Sequence, residues 1–587
     1  MQETGVLTST LKEKKEFQEY MKDESISIED KSTKLKSITL NKRELCDYEL
    51  LQNRGFHPLS GFMTKADYHD TIHHMRLSNG KLWCMPIVLS INEAQRDSLQ
   101  HQDYVCLRDE TGIPLAIMDI SHSDSIYKVT LKDECKHVYG TNDTNHPYVN
   151  IMYKKYEDGY IYNIGGEFMH SKPPLHYDFK DVRFTPEQTK SYFKQQGWSK
   201  IIGFQTRNPM HRSHYELTKY ALRVAGSESH VMLHPVIGIT QTCDIDYHTR
   251  VKCYKHLLNY YEKDEAMLNL LPLSMRMAGP REAVWHAQIR KNYGCTHFVV
   301  GRDHAGPSYK TKEGEDFYGP YDAQNLLMKY ADEIGIIPIV SKMIVYALPK
   351  RESNVMRGKY LPIDEVDENK YEVMKISGTQ QREMLRKGEP IPKWFTFPLV
   401  SKELEDKYKT ASNGFTLYFV GLSGSGKSTI SNYLISKLKE MTNKAITYLD
   451  GDIVRLHLSK GLSFTDEDKS INVRRIGYVS SEVTKHGGIA IASNIAPFEK
   501  DREFNRELIS AHGKYVEIYM KVSVDTCEKR DVKGLYKLAR ENVLTGFSGV
   551  NSRFDEPEHA DIVLDETMDI EECIDVIINF LKVNNLI

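Results

Sequence analysis

The chain has 587 residues, which at about 100 to 200 residues per domain implies about three to five domains. Its 78 Lys and Arg residues nearly balance its 81 Asp and Glu residues, so the net charge is only −3. This balance excludes a strong overall attraction to nucleic acid or to an anionic membrane, and any anion site must be local. No run approaches the about 18 apolar residues of a membrane span, and the polar N-terminus differs from a signal or transit peptide.

The nine cysteines are scattered along the chain, and no two of them form a Cys-x-x-Cys pair. An odd and dispersed set is typical of reduced thiols and does not supply a structural zinc site. We therefore expect a cytoplasmic protein that uses no zinc, haem or flavin and that has no nucleic-acid or membrane partner.

The first part of the chain divides into an arm and a β-rich domain. Residues 1–38 are rich in Lys, Glu and Ser, which predicts a loosely ordered or helical arm. Residues 39–180 contain short β-type runs, including 82–91 and 104–107. Turn signals between such runs are Asn79-Gly80 and Thr111-Gly112. The pattern predicts a compact β-rich domain.

Helix and strand patterns alternate through residues 181–340, which is typical of a parallel α/β sheet. A helix-start signature, Thr185 followed by Pro186 and then Gln188, precedes a strand pattern at 200–204. The remaining segments are a small subdomain at 341–400 with a helix at 377–387, a charged linker at 401–413 and a last domain at 414–587.

The densest polar cluster follows the strand pattern at 200–204. It comprises Gln205, Thr206, Arg207, Asn208, Pro209, Met210, His211, Arg212, Ser213 and His214. Ligands of parallel sheets bind outside the carboxyl ends of the strands, at the start of the next helix. His211 and His214 share one face of that helix start, and with Arg207 in the preceding loop they favour an anion site. Surface histidines beside an ordinary turn, or a zinc site without a third ligand, are the alternatives.

A second polar loop follows the apolar strand pattern at 297–300. It consists of Gly301, Arg302, Asp303, His304, Ala305, Gly306, Pro307 and Ser308. Two polar loops that follow two strands of one sheet predict a single shared crevice.

Residues 421–428 match a phosphate-binding loop between an apolar strand pattern at 415–420 and a helical pattern from Thr429. They are Gly421, Leu422, Ser423, Gly424, Ser425, Gly426, Lys427 and Ser428. The glycines turn backbone N–H groups toward phosphate oxygens, Lys427 reaches the β and γ phosphates, and the Ser428 hydroxyl ligates Mg²⁺. The motif predicts a site for a nucleoside triphosphate and Mg²⁺; the alternative is a glycine-rich turn without a ligand.

Nearly the whole chain resembles two enzyme families in tandem. The N-terminal part is similar to ATP sulfurylase (sulfate adenylyltransferase), and the C-terminal part to adenylyl-sulfate (APS) kinase. The first resemblance rests on residues 46–51, 55–63, 205–214, 234–238, 281–286, 301–307 and 317–324. The second rests on the P-loop and on residues 449–452, Arg455, Asn472, 474–475, 533–540 and 546–549.

This resemblance implies an α/β multidomain fold. Its parts are a β-rich PUA-like N-terminal domain, a Rossmann-like nucleotidyltransferase α/β domain, a small α/β closing subdomain and a C-terminal α/β P-loop kinase domain. It also implies a homo-oligomer, a dimer or a hexamer, whose small-molecule substrates are ATP, sulfate and APS.

At the N-terminal site the resemblance implies that sulfate attacks the α-phosphorus of MgATP and gives APS and pyrophosphate. Gln205, Arg207 and the Ala305 backbone are expected to hold sulfate. Thr206 and Asn208 are expected to position sulfate and the α-phosphate, and His211 and His214 to stabilise charge on the departing pyrophosphate. The residues expected to contact ATP are Gln205, Thr206, Arg207, Asn208, Gly301, Arg302, Asp303, His304 and, beside adenine, Ile344.

At the C-terminal site the resemblance implies transfer of a γ-phosphoryl group from a second MgATP to the 3′-hydroxyl of APS. Lys427 and Mg²⁺ would neutralise the transferring group, and Asp452 or Asp450 would orient or deprotonate the hydroxyl. Residues 421–429, from Gly421 to Thr429, would cradle the ATP phosphates. The residues expected to bind APS are Phe464 and Phe547, stacked on adenine, and Arg455, Asn472 and Lys533.

Several positions depart from the family pattern. Ala496 stands where some relatives carry a phosphorylatable serine, which excludes a phosphoenzyme at that residue. Lys469 replaces an arginine and Ile471 a glutamate, and both changes predict weaker binding of APS. Residues 241–244 read Gln-Thr-Cys-Asp where the family tends to have Lys-Pro-Gly-Asp, so an anion contact from that lysine is lost.

These departures from the family pattern favour an alternative function for the C-terminal domain. In fungal relatives with this domain order, that domain is a non-catalytic sensor that binds the phosphorylated product and inhibits the sulfurylase. Such sensors have typically lost the P-loop, whereas this chain keeps it together with Asp450 and Asp452. The intact motif favours an active kinase. A third hypothesis, adenylyl transfer to another oxyanion such as selenate or molybdate, fits the same pocket chemistry less specifically.

Overall fold

The computed structural model describes residues 15–240, 244–350, 358–387, 389–408, 414–531 and 534–587. Over these residues the chain folds into two compact units. Unit 1 extends to Leu175 and continues over Asp181–Ser401, and unit 2 joins His176–Lys180 to Lys402–Ile587. None of the described helices combines the length and the apolar character needed to cross a membrane.

Residues 176–180, which the sequence analysis places in the β-rich domain, pack in unit 2. The Tyr177 side chain is 7% exposed and belongs to that unit's hydrophobic core, with its ring 4.3 Å from the Tyr433 ring. The Phe179 N–H donates to the Glu440 carboxylate at 3.2 Å. No local pattern in the sequence marks this packing, because the partners lie about 260 residues further along the chain.

The N-terminal part of unit 1 contains two sheets with short helices around them. One sheet has the strand order β1-β4-β5-β8-β2, and the other has the order β3-β7-β6. The strands are β1 (Ser37–Thr39), β2 (Gly61–Phe62), β3 (Leu89–Ile91), β4 (Tyr104–Arg108), β5 (Pro114–Asp119), β6 (Ile126–Lys128), β7 (Tyr162–Ile164) and β8 (Gly166–Ser171). The helices are α1 (Ile28–Ser32), α2 (Lys42–Gln52), α3 (Lys65–His74), α4 (Glu93–Leu99), α5 (Leu131–Tyr139) and α6 (Pro147–Glu157). The β-rich prediction is confirmed, and both turn glycines, Gly80 and Gly112, have positive φ angles.

The strand predicted at 82–91 is wrong for most of its length, because only Leu89–Ile91 pairs as a strand. Residues 82–87 are buried but form no ladder apart from an isolated bridge at Leu82. Pro86 has no N–H to donate to a neighbouring strand, so this apolar segment crosses the core as irregular chain.

The second part of unit 1 is a parallel sheet with the strand order β11-β10-β9-β12-β13. The strands are β9 (Lys200–Phe204), β10 (Ser229–Leu233), β11 (Ala266–Leu268), β12 (His297–Val300) and β13 (Ile337–Val340). The helices are α7 (Pro186–Gln196), α8 (Arg212–Ala225), α9 (Tyr247–Leu258), α10 (Pro280–Asn292) and α11 (Asp322–Ile334). The predicted capping box is present, since Thr185 and Gln188 each accept the other's backbone N–H. Strands β9 and β12 are neighbours, so the loops that follow them open at the same edge.

Residues 344–408 form the last part of the first unit and the start of the second. An antiparallel sheet has the order β15-β14-β16. Its strands are β14 (Ile344–Pro349), β15 (Lys359–Pro362) and β16 (Tyr371–Met374), followed by helices α12 (Gly378–Lys387) and α13 (Pro398–Tyr408). The helix predicted at 377–387 is confirmed and begins one residue later. Strand β14 contacts helix α8, which brings this subdomain against the polar loop that precedes α8.

Unit 2 is a second parallel sheet, in the order β18-β19-β17-β20-β21. Its strands are β17 (Phe415–Val420), β18 (Ile446–Asp450), β19 (Ile489–Ser493), β20 (Lys514–Lys521) and β21 (Ile562–Asp565). Its helices are α14 (Lys427–Met441), α15 (Gly451–His457), α16 (Asp466–Lys485), α17 (Glu499–Ser510), α18 (Val524–Arg530), α19 (Leu535–Arg540) and α20 (Ile570–Val583). All six residues of the central strand β17 are buried, as its continuous apolar pattern predicts. The P-loop leaves the carboxyl end of this strand.

Candidate active sites

The two polar loops of unit 1 meet at the carboxyl edge of its parallel sheet. Arg207, after β9, reaches Ser308, after β12, with 3.4 Å between Nη2 and Oγ. Its Nη1 lies 3.6 Å from the Asp244 carboxylate. Thr206 Oγ1 donates to the Asn208 carbonyl at 2.9 Å and accepts the Asn208 N–H at 3.2 Å, which makes a tight turn. The predicted shared crevice is therefore confirmed, and it contains a guanidinium group.

Helix α9 supports the loop that follows β9 through two buried side chains. Arg250 Nη1 donates to the Arg207 carbonyl at 2.7 Å, and the Tyr254 hydroxyl donates to the Asn208 carbonyl at 2.7 Å. Both side chains are almost fully buried. A buried donor on each of two successive carbonyls fixes the backbone from which the Arg207 and Asn208 side chains project.

The side-chain amide of Gln205 makes no strong hydrogen bond within the described residues. Its Oε1 is buried and accepts no hydrogen bond within the described residues, and its Nε2 lies 4.0 Å from the Met275 sulfur. A thioether is a poor acceptor. The amide N–H groups of Gln205 are thus available to a stronger acceptor such as an oxyanion.

His211 and His214 lie side by side at the start of α8. The His211 N–H donates to His214 Nδ1 at 3.2 Å, so a neutral His214 carries its proton on Nε2. His211 Nδ1 lies 3.1 Å from Thr396 Oγ1, and its ring packs 4.3 Å from the Phe395 ring. The segment before α13 therefore forms one wall of the site, a contribution that no sequence motif indicated.

Both imidazoles are neutral at physiological pH. Burial lowers the pKa of His211 to about 3 and that of His214 to about 4, and the proximity of the two rings adds to the effect at His211. Arg207 therefore places a fixed positive charge beside two neutral N–H donors. A bound polyanion would favour protonation of these rings.

The loop after β12 has an unusual backbone. Asp303 and Ala305 adopt left-handed φ angles of 54° and 56°. The Ala305 carbonyl accepts the Gly279 N–H at 3.2 Å, and Gly279 has a φ of 49° where a Cβ atom would lie 2.5 Å from the Tyr318 ring. Gly279 is therefore required for the close approach that supports this loop. Arg302 and Asp303 are exposed and pair with each other at 3.1 Å.

His304 points inward from this loop rather than into solvent. Its Nε2 lies 3.0 Å from His286 Nδ1, and His286 Nε2 lies 3.3 Å from the buried Glu282 carboxylate. Burial lowers the pKa of His304 to about 3. The contact between His304 and His286 anchors the loop after β12 to helix α10.

In unit 2 the P-loop is folded around Lys427. The ammonium group donates to the carbonyls of Gly421 and Leu422 at 2.8 and 2.7 Å. Gly424 and Gly426 have φ angles of 76° and 94°, which only glycine adopts readily. Helix α14 begins at Lys427, so its first N–H groups face the loop. These features form the phosphate cradle that the motif predicts.

Ser428, the predicted Mg²⁺ ligand, is held by an aspartate. Its hydroxyl donates to Asp450 Oδ2 at 2.8 Å, and the Tyr448 hydroxyl donates to the same oxygen at 3.0 Å. Asp450 Oδ1 accepts the Asp452 N–H at 3.0 Å, which caps helix α15. A hydroxyl and a carboxylate are the hard oxygen donors that Mg²⁺ prefers, so this pair fits the ion.

Aromatic and polar side chains predicted to bind the second substrate gather beside the P-loop. Arg455 stacks on the Phe464 ring at 4.4 Å. Gly546 contacts this segment closely, because a Cβ there would lie 2.7 Å from the Phe464 carbonyl oxygen. Phe547 is buried against Tyr536, whose hydroxyl donates to the Ser423 carbonyl of the P-loop. These contacts bring the predicted adenine-stacking region to the P-loop.

Helix α16 supplies further polar groups on this side. Asn472 is 6% exposed, and its Oδ1 accepts no hydrogen bond within the described part of the chain. One turn earlier, buried Lys469 donates to Ser552 at 2.7 Å. Ile471 is exposed, and Ala496 is buried with a φ of 44°. Lys533, also predicted to bind APS, lies outside the described residues, as do residues 241–243.

Arg530 is a residue that the sequence analysis missed. Its Nη1 donates to the Gly424 carbonyl at 3.3 Å, which places a guanidinium group directly over the P-loop. It stands three residues before Lys533, the first residue of the kinase motif at 533–540. A basic residue this close to the kinase motif is the sequence feature that could have predicted its place at the P-loop.

Comparison with known proteins agrees with this two-site arrangement. Residues 10–171 match the PUA-like domain family, residues 180–407 match ATP-sulfurylase, and residues 413–565 match adenylylsulphate kinase. A protein of Chaetomium globosum with the name sulfate adenylyltransferase is 42% identical over 558 residues, which are 94% of each chain. One of Gibberella zeae with the same name is 41% identical over 95% of this chain and 96% of its own. The chain belongs to the sulfate adenylyltransferase family.

A solved structure extends the likeness to the whole fold. The structure of a hexameric APS kinase from Thiobacillus denitrificans covers 95% of both chains with 28% identity and a TM-score of 0.53. As a member of the sulfate adenylyltransferase family, the chain is an enzyme, an ATP-using transferase with a kinase domain after the sulfurylase domain. The predicted fold class and the predicted order of sulfurylase and kinase are thereby confirmed.

In this family member the predicted residues of the first site fall into two groups. The structure brings Thr206, Arg207, Asn208, His211 and His214 together at one edge of the parallel sheet. Ile344 instead begins strand β14 of the antiparallel sheet. Residues missed by sequence reasoning contact the predicted site residues or the P-loop; they are Tyr254, Thr396, Phe395 and Arg530.

Proposed function

We propose that the chain makes 3′-phosphoadenylyl sulfate (PAPS) from sulfate in two steps. The site in unit 1 joins ATP and sulfate into APS and pyrophosphate, and the site in unit 2 phosphorylates APS at its 3′-hydroxyl. Membership of the sulfate adenylyltransferase family supports the first step. The observation that carries the second step is the complete P-loop with Ser428 hydrogen-bonded to Asp450.

In the first step a sulfate oxygen forms a bond to the α-phosphorus of ATP while the bond from that phosphorus to the β-bridging oxygen breaks. Arg207 supplies the fixed positive charge between two anions that repel one another, and Gln205 donates its amide N–H groups to sulfate. His211 and His214 act as preorganised N–H donors to the negative charge that develops on pyrophosphate. The buried supports of the loop keep these groups in place before substrate arrives.

In the second step the 3′-hydroxyl of APS attacks the γ-phosphorus of ATP, and ADP leaves. Lys427 would exchange its bonds to the Gly421 and Leu422 carbonyls for phosphate oxygens. Asp450 is already engaged by Ser428 and Tyr448, and we assign it to the metal side of the site. Asp452, on the exposed first turn of α15, is the aspartate that would orient or deprotonate the hydroxyl.

Magnesium fits both the motif and the donor set. Ser428 and Asp450 would hold the ion, which supplies positive charge to the β and γ phosphates when it is bound with ATP. The proposal further includes a homo-oligomer, a dimer or a hexamer, and a cytoplasmic location. The hexameric assembly of the Thiobacillus protein supports an oligomer, and the eight described cysteines are all free thiols.

The alternative is that unit 2 binds APS or PAPS without catalysis and regulates unit 1. Two observations favour it: Lys469 and Ile471 depart from the kinase pattern, and the names of the fungal relatives mention only sulfate adenylyltransferase. Neither departure removes a P-loop residue, and Lys469 keeps a positive charge in the cleft. The phosphate cradle therefore favours catalysis.

The test supplies APS directly to the purified full-length protein with MgATP and measures PAPS and ADP. We expect both products in equal amounts from the wild type and neither from Lys427→Ala, which still makes APS from sulfate. Lys439→Ala, at an exposed position on the same helix, is the matched control and should match the wild type. Binding of APS by the wild type with no release of ADP would establish the regulatory alternative.

A further inference from the structure

Three histidines and one aspartate gather on the surface of unit 1, where helices α3 and α5 contact each other. His69 and His73 are four residues apart on α3, and Asp133 and His137 are four residues apart on α5. Side chains with this spacing lie on one face of a helix. The two faces meet, since the His73 ring lies 4.5 Å from that of His69 and 4.6 Å from that of His137.

The donor atoms converge on one point. His73 Nε2 lies 3.1 Å from Asp133 Oδ2, and His137 Nδ1 lies 3.1 Å from Asp133 Oδ1. One ligand atom from each of these three residues lies within 4.8 Å of the others. In a tetrahedral zinc site with bonds of about 2.0 to 2.2 Å, neighbouring ligand atoms are about 3.3 Å apart. Small side-chain rotations would therefore close the site.

The same nitrogen of His137 has a second contact. Its Nδ1 lies 3.0 Å from the Asp133 carbonyl oxygen, so a ring with its proton on Nδ1 donates to Asp133 when no ion is bound. Coordination through Nδ1 would replace this contact with the metal bond and leave the proton of the neutral ring on Nε2.

We propose that His73, Asp133 and His137 bind a divalent transition-metal ion, with Zn²⁺ as the best fit and a solvent molecule as the fourth ligand. Two imidazoles and one carboxylate suit Zn²⁺, Co²⁺ or Ni²⁺ and do not suit Mg²⁺ or Ca²⁺, which prefer oxygen ligands. The side chains of His73, Asp133 and His137 are 24%, 42% and 36% exposed, so an ion can enter from solvent. None of these residues belongs to either active site, and no cysteine takes part.

The competing explanation is a pair of ordinary ion pairs. His73 and His137 stand in the last turns of their helices, where a protonated ring is favoured by the helix dipole. An ion pair with Asp133 requires protonated rings, whereas a metal requires neutral ones. The two explanations therefore differ in whether the protein takes up a metal above neutral pH.

The test uses the full-length protein, stripped of metal, at pH 7.5. Binding of Co²⁺ and Zn²⁺ is measured by competition with a chromophoric chelator, in the wild type and in His73→Ala and His137→Ala. We expect each variant to lose one bound equivalent. His74→Ala is the matched control, because His74 is the next residue on the same helix, is exposed and is not in the ligand set; it should bind as many equivalents as the wild type.

A second measurement separates a bridged site from scattered surface binding. An ion that joins α3 to α5 binds only the folded state, so Zn²⁺ should raise the unfolding temperature of the wild type and of His74→Ala more than that of His137→Ala. Normal APS synthesis by each variant shows that it is folded. Equal numbers of bound ions in the wild type and His73→Ala would overturn the proposal.

Discussion

At the residue scale, the histidine pair of unit 1 combines a polar role with an apolar environment. His211 is 7% exposed, and its ring contacts Phe395 and Thr396. Such burial keeps both rings uncharged until an anion enters, which preserves them as N–H donors. It also makes the fold sensitive to acid, because the rings of the unfolded chain bind protons more readily.

The first prediction concerns this acid sensitivity. Burial lowers the pKa of His211 to about 3 from the usual 6.5, so its contribution to stability is present above pH 6.5 and is lost as pH falls toward 3. In His211→Asn this titration is absent. Between pH 7 and pH 5 its free energy of unfolding should fall by about 2 kcal/mol less than that of the wild type, as measured with urea.

An exposed histidine provides the control for that experiment. His101→Asn should lose as much stability as the wild type between the two pH values, because its ring lies at the surface. An equal pH effect in the wild type and His211→Asn would show that the buried ring does not titrate as described.

Residue roles were predictable where a motif fixes the backbone. Lys427 and Ser428 could be assigned from the P-loop sequence, since the spacing itself determines which atoms face phosphate. The contact of His211 with Thr396 could not be predicted, because 185 residues separate the two and only the tertiary fold brings them together. His304 illustrates the same limit: the family motif predicted a contact with the nucleotide, whereas its side chain lies against His286 on helix α10.

At the scale of elements, helix α9 supports the loop after β9 without contributing to its motif. Tyr254 and Arg250 donate to two successive carbonyls of that loop. A loop at a sheet edge has few hydrogen bonds of its own, so these donors decide how precisely its side chains are held.

The second prediction tests this support. Tyr254→Phe removes one buried hydrogen bond, worth about 1 kcal/mol, while the Asn208 carbonyl keeps its bond from Thr206. The variant should remain folded, and its kcat for APS synthesis should fall by about 5-fold to 10-fold. Steady-state release of pyrophosphate from ATP and sulfate measures this effect.

Tyr261→Phe is the matched control for this loss. Its buried hydroxyl lies 2.6 Å from the Thr218 hydroxyl on helix α8. A similar fall of kcat in both variants would indicate a general effect of destabilisation and would contradict a specific role for α9.

Elements were predicted well where local signals agree. The capping box at Thr185 and the strands Lys200–Phe204 and His297–Val300 were all correct, because periodicity and helix-start chemistry are local. The prediction of a strand over 82–91 was mostly wrong, because a buried irregular segment and a buried strand have the same apolar composition. Only Pro86 signalled the difference.

At the scale of the whole molecule, the tandem order of the two sites has a chemical reason under the proposed function. A phosphosulfate anhydride is high in energy, so formation of APS is unfavourable unless its products are removed. A kinase on the same chain removes APS, while hydrolysis of pyrophosphate removes the other product. Two complete sites on one chain are therefore consistent with one pathway.

The third prediction concerns residues 176–180, which leave unit 1 in sequence and pack in unit 2. Tyr177→Ala empties a buried position beside Tyr433, and we expect the unfolding of unit 2 to become easier by about 3 kcal/mol. Leu175→Ala, at an exposed side chain outside this segment, should have little effect. All four tryptophans lie in unit 1, so a loss of circular dichroism without a change in tryptophan fluorescence identifies the transition of unit 2.

Unchanged unfolding of unit 2 in Tyr177→Ala would show that the segment is not part of its core. The sequence offered no way to foresee this packing, since residues 172–180 read as an ordinary connection with two prolines. Domain composition and order, in contrast, were predictable, because many motifs occur in one sequence order.

The most direct test of the two-step account is a single incubation. Purified wild-type protein is mixed with MgATP, sulfate and inorganic pyrophosphatase, and APS is separated from PAPS over time. The account predicts that PAPS accumulates while APS stays low, and that Lys427→Ala accumulates APS alone. Accumulation of APS by the wild type without any PAPS would contradict it.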